Sequence, residues 1–205
     1  MSIFRSRESL KIRNPLLSFF VSLLLASLVA ACAPKGRVVI IDDAVIDGAD
    51  YMKVIYPVWY SVSIYDGQEK YEKDIARFSA EQRFVFACVW YLSEVDNGGH
   101  QQFYWNSTGV VWKDAVRGFE AMGLKEFAEV IAESVRRMGG SPSLDRAERQ
   151  RQLEQVAPEF DDLDDRIYAL ESDVDIDKKL MEFIRSNRLK FYFSGRVSMP
   201  VSIVD

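Results

Sequence analysis

The sequence predicts an all-α fold: a single compact multi-helix domain with short helix–helix connections and short extended segments at both ends. Three observations predict it. Apolar residues recur at three- and four-residue spacing through most of 79–187. Capping residues and glycines stand where those stretches begin and end. The composition, 48% hydrophobic and 13% aromatic, is that of an ordinary globular protein.

Taken in order, residues 33–50 are a mixed stretch with one apolar run, Val38 to Ile41, readable as a tether or a strand-like arm. Pro57 to Tyr65 ends at the turn signal Asp66-Gly67. The leading proline suits a short helix, while the β-branched and aromatic content argues for a strand. Ser79 caps a helix carrying Phe84, Val85, Cys88, Val89, Leu92 and Val95 on one face, which stops at Asn97-Gly98-Gly99. A second helix from about 111 aligns Trp112, Ala115, Val116, Phe119 and Met122, and Gly123 breaks it. A third aligns Leu124, Phe127, Ala128, Ile131, Val135 and Met138 before Gly139-Gly140. Ser143 caps a helix over about 144–156. After Pro158, Phe160, Leu163, Ile167 and Leu170 share a face, with aspartates near its start where the helix dipole favours them. A last helix spans about 176–187, and the terminal apolar segments read as extended. The division expected along the chain is a leader at 1–31, a tether at 32–48, a helical domain at 49–193 and an extended tail at 194–205.

The leader has the order of an export signal. Arg5, Arg7, Lys11 and Arg13 precede an apolar run over 15–31, and small residues stand before Cys32. It resembles a bacterial lipoprotein signal, with Val29 where leucine is commonest. That resemblance implies lipidation of Cys32, hence a membrane partner through the lipid and a cell-envelope location. With Ala33 next, the outer membrane is favoured over the inner in a host that has both. The competing expectation is an uncleaved anchor, since the run approaches spanning length. Removing Cys32 leaves Cys88 without a partner, in an apolar run that suits a buried, inert thiol.

The whole chain carries a net charge of −5. The leader holds a surplus of +3, so the remainder is at −8. That excludes nonspecific nucleic-acid binding, which needs a basic surface. Acidity is concentrated over 154–177, where Asp161, Asp162, Asp164, Asp165, Glu171, Asp173 and Asp175 lie among further acids against Arg166 alone. The plain reading is a solvated helix face with capping aspartates. The functional one is an acidic docking surface.

At Glu94, Asn97-Gly98-Gly99, Gln102-Phe103 and Asn106-Ser-Thr-Gly109 the chain resembles the C-terminal domain of the DNA-mimic protein family. The family's mark is an acidic residue just before Asn-Gly-Gly, then Gln-Phe and Asn-x-x-Gly. The resemblance runs over roughly 50–190 and implies an all-helical domain. The family's namesake is an acidic dimer that imitates the charge of DNA and occupies a transcription regulator's DNA-binding face. It therefore implies a protein partner and a homodimer. An exported chain never meets such regulators, so the DNA-mimic reading holds only if the chain is cytoplasmic.

Chemistry-bearing sets are sparse. His100 is the only histidine, no nucleophile motif flanks it, and multi-histidine metal sites are ruled out. Asp173-x-Asp175-x-Asp177 starts like a calcium loop, but Lys178 replaces the turn glycine and Ile184 the final glutamate. No cofactor is implied. The Asn97 to Phe103 run reads either as a ligand turn or as an interhelical turn whose amides satisfy helix ends. The expectation for function is a non-catalytic, lipid-anchored envelope protein binding an unidentified, basic protein partner. The alternative is a small-ligand-binding or hydrolytic protein using Glu94, Asn97, His100 and Gln102, or the carboxylate pair Glu94 and Asp96.

Overall fold

The computed structural model describes residues 36–198. The expected export leader at 1–31, Cys32 and residues 199–205 lie outside them. The described residues form an all-α unit closed by one β-ribbon. Strand β1 (Arg37–Ile41) is followed by helices α1 (Asp43–Gly48), α2 (Tyr51–Trp59) and α3 (Gln68–Ile75). The long α4 (Ala80–Trp105) comes next, then a 3-10 turn (Ser107–Val111), α5 (Trp112–Ala121) and α6 (Lys125–Arg137). The chain closes through α7 (Arg146–Val156), α8 (Asp161–Asp173), α9 (Ile176–Ser186), the single turn α10 (Arg188–Phe191) and β2 (Phe193–Val197).

Local chemistry sets these boundaries. Side-chain oxygens of Asp42, Asp50, Asp145 and Asp175 accept first-turn amides of α1, α2, α7 and α9. Ser79 and Gln82 form a reciprocal capping box at the start of α4. Pro57 stands in the last turn of α2 rather than at a helix start, where one lost amide costs least.

Helix α4 is the axis of the unit and packs on α2, α5, α7 and α8. Its inner face buries Val85, Cys88, Tyr91, Leu92 and Val95 as the periodicity predicts, while Phe84 and Val89 are only half-buried. The stop expected at 97–99 is a kink instead. Gly99 has φ +70°, and the helix resumes through Trp105.

Two boundaries change. Most of the expected tether is built structure: β1 and α1 lie within 37–48, and Ile41 and Ile46 join the core. The start of the expected tail is β2, which pairs antiparallel with β1 from Arg37 opposite Val197 to Ile41 opposite Phe193. Ribbon formation satisfies backbone groups that a free arm would leave to water.

Candidate functional site

The kink at Gly98-Gly99 organises the sequence motif. A helix that breaks and restarts leaves amides of its second half without carbonyl partners. Here the Asp164 carboxylate, from α8, accepts the His100 main-chain N–H at 2.9 Å. An acid at that position also suits the helix dipole. Gly99 serves this contact twice: its φ is in the left-handed region, and a Cβ there would collide with the Asp164 carboxylate.

The imidazole of His100 is fully buried. Its Nδ1 meets Asp164, and its Nε2 lies 2.7 Å from the Tyr91 hydroxyl. Carboxylate, imidazole and hydroxyl thus stand in the order of a proton-relay triad. The hydroxyl end belongs to Tyr91, itself fully buried, with its acidity suppressed first by burial and then by Tyr104, Asp164 and Glu171. That oxygen is buried, and the network joins α4 to α8 through side-chain contacts.

Glu94 lies upstream of the kink, half-buried. Its Oε2 accepts from the Gln102 and Asn106 side-chain amides, each at 2.9 Å, which ties the two halves of α4 together. Asn106 also presents its main-chain oxygen to Arg149 Nη2 at 2.7 Å. The buried Arg149 guanidinium further donates to Tyr104 O at 2.9 Å and to Ser143 O at 2.7 Å. Desolvation holds its pKa down to about 10. Gly109 makes room for it: a Cβ there would stand 2.5 Å from Arg149 Nε and 2.8 Å from Phe103 O. Phe103 is fully buried, and Asn97 is exposed. The proposed quartet therefore divides. Glu94 and Gln102 meet at the surface, His100 turns into the core, and Asn97 joins Ser93, Glu94 and Asp96 around an open hollow of about 440 Å³.

The acidic segment divides as well. Asp164 is a correction to the expected acidic surface, because it faces His100 and Gly99 rather than solvent. Asp162 pairs with Arg137 at 2.6 and 2.8 Å, which lowers its pKa. Asp175 caps α9 through the Lys178 amide at 2.9 Å. Among the described residues, Asp161, Asp165 and Asp173 are exposed without a bonded partner. Glu171 is half-buried beside Asp96 of α4. Burial first, then the hydrogen bond and charge of Asp96, push its pKa up to about 8.

Asp96, Asp165 and Glu171 gather around Tyr168, which is 41% exposed and donates to Val95 O at 3.0 Å. The Tyr168 pKa is raised by burial, then by Asp164, Asp96, Asp165 and Glu171. The Asp96–Glu171 contact, the bonds of Arg149 to Tyr104 and Asn106 and that of Tyr168 to Val95 carry no local sequence signal, since they join residues 43 to 75 positions apart. Among the described residues, no group of three or more His, Cys, Asp or Glu is placed to hold a metal ion.

The profile of the DMP19-like protein family matches residues 76–187, more than half of the chain. The chain belongs to the DMP19-like protein family. The matched segment holds the whole kink, from the Ser79 cap through α9. In this DMP19-like domain the family's Asn-Gly-Gly motif is the place where α4 bends onto Asp164. No curated protein and no solved structure significantly matches the chain.

Proposed function

We propose that this DMP19-like chain is a non-catalytic, lipid-anchored envelope protein that offers the acidic face around Tyr168 to a basic protein partner. The observation that carries it is the gathering of Asp96, Asp165 and Glu171 about the exposed Tyr168 at the α4–α8 junction, none of the three held in an ion pair among the described residues. A guanidinium or ammonium group from a partner pairs with Asp96 and Asp165 and favours release of the proton that Glu171 holds against Asp96. The motif residues support the same reading from the other side. Glu94, Gln102, Asn106, Gly99 and Gly109 are engaged in holding the fold, and His100 is sealed from solvent. The anchor rests on the sequence of the leader and Cys32.

The experiment places a photo-crosslinking phenylalanine at Tyr168 in growing cells. A discrete adduct is expected with a basic protein. The adduct should disappear when Asp96→Asn, Asp165→Asn, Glu171→Gln and Asp173→Asn are combined, with the circular dichroism spectrum unchanged. An adduct that survives neutralisation removes the acidic face from the proposal. The family match favours one other reading: a DNA-mimic that occupies a DNA-binding protein through the same face in the cytoplasm. Fractionation separates the two, because only the first keeps the chain with the envelope.

A further inference from the structure

The β-ribbon has two unlike faces. Opposed residues of an antiparallel pair share a face, so Val38, Arg196, Ile40 and Ser194 lie together. The other face is the one that enters the fold, with Ile41 and Val197 buried. On the first face Val38 is 61% and Ile40 56% exposed. Two aliphatic side chains thus stand in water on a two-stranded ribbon, with the exposed Arg196 on the same face. Leu189, in the helical turn that feeds β2, is 74% exposed, and Lys190 follows it.

Charge at this end runs against the rest of the protein. Asp43 and Asp47 of α1 are taken up by Arg188, at 2.5 and 3.1 Å, and Asp42 caps α1. Arg37, Arg188, Lys190 and Arg196 outnumber Asp42, Asp43 and Asp47 by one, in a chain whose net charge is negative. Exposed aliphatics with a basic side chain on the same face match the boundary of a bilayer, with apolar groups below anionic headgroups.

The position of the ribbon in the chain supplies the occupant. Three residues separate Cys32 from Gly36, a span of four peptide units. Fully extended, that stretch spans roughly 14 Å, so an acyl group on Cys32 keeps β1 within reach of the leaflet it enters. A tether that short gives a contact of low intrinsic affinity a high effective concentration. We propose that the outer face of the ribbon, centred on Val38 and Ile40, lies against the anionic membrane surface that holds the lipid and sets the orientation of the helical domain. This proposal rests on the lipid-anchor reading. The lipid supplies residence at the membrane, and the ribbon supplies the angle at which the acidic face is shown.

The test uses the acylated protein reconstituted into vesicles of phosphatidylethanolamine with phosphatidylglycerol, and into vesicles of phosphatidylcholine alone. Val38→Cys, Ile40→Cys and, as a remote control, Glu129→Cys are labelled singly with bimane. Acylation of Cys32 is followed in the same samples with an alkyne fatty acid. In anionic vesicles, iodide quenching at 38 and 40 should fall several-fold below that at 129, and the protection should weaken in phosphatidylcholine. Acylated protein with equal quenching at all three positions overturns the ribbon contact while leaving the anchor standing. Protection that is the same in both vesicles overturns the anionic surface as its occupant. Absence of acyl label on Cys32 overturns the anchor, and this proposal with it.

Discussion

At Glu171 a half-buried carboxyl meets Asp96, and its pKa is pushed up to about 8. The unfolded chain releases that proton near 4.5. Between those values the folded protein holds more protons than the unfolded one, so stability falls as pH rises through the window. Glu171→Gln keeps a donor to Asp96 and has no proton to lose. The variant should hold its Tm from pH 5 to 9 better than the parent. The gain at pH 9 is about 1–2 kcal/mol after solvent screening, and each kcal/mol moves Tm by about 2–4 °C at this chain length. Parallel Tm profiles for parent and variant would remove the carboxyl pair as its cause. Gly99 makes the second residue-scale prediction. Gly99→Ala adds a left-handed backbone penalty and a collision with Asp164, for a loss of about 2–4 kcal/mol in urea unfolding. A loss under about 1 kcal/mol would mean that Asp164 moves aside freely.

Among the elements, α7 is held by an unusual clasp. The buried Arg149 has no carboxylate partner among the described residues; its donors go to main-chain oxygens of Tyr104, Asn106, Ser143 and Leu144. Arg149→Ala leaves those carbonyls without their donor and opens a hole, a cost of about 3–4 kcal/mol. Lysine is no remedy, because its ammonium lacks the planar fork that reaches both sides. Hydrogen exchange should accelerate in α7 and at the 3-10 turn before it does in α6; uniform acceleration would indicate global loss of stability rather than release of the clasp. This clasp also shows where the sequence ran out. The helices at 124–138 and 176–187 were legible because their apolar positions repeat at helical spacing, and Ser79 was legible as a cap. The kink was legible as a break, but not as a bend, because glycines favour stopping and bending alike. What makes it a bend is Glu94, whose partners lie eight and twelve residues on, and Asp164, sixty-four residues beyond His100. The ribbon pairs residues from the two ends of the described chain, and no local pattern reports such a pairing.

For the whole molecule the thiols supply a direct test of the anchor. Among the described residues Cys88 is the free cysteine. It is fully buried, its Sγ lies 3.7 Å from Ala115 O, and burial followed by the Asp114 charge raises its pKa well above the ordinary value. Reaction needs an accessible thiolate, so Cys88 is silent while the protein is folded. An acylated Cys32 carries no free thiol in any state. Native protein purified from membranes should therefore show no group reactive with a maleimide, and protein unfolded in guanidinium should show one. No helix among the described residues is long and apolar enough to cross a membrane. Two reactive thiols after unfolding, one of them also reactive in the native state, would mean that Cys32 is unmodified. The Cys32→Ala variant completes the argument. It should give the same thiol counts as the acylated parent while losing both the fatty-acid label and its place in the membrane fraction. Retention of the variant in that fraction would point instead to an uncleaved apolar leader as the anchor.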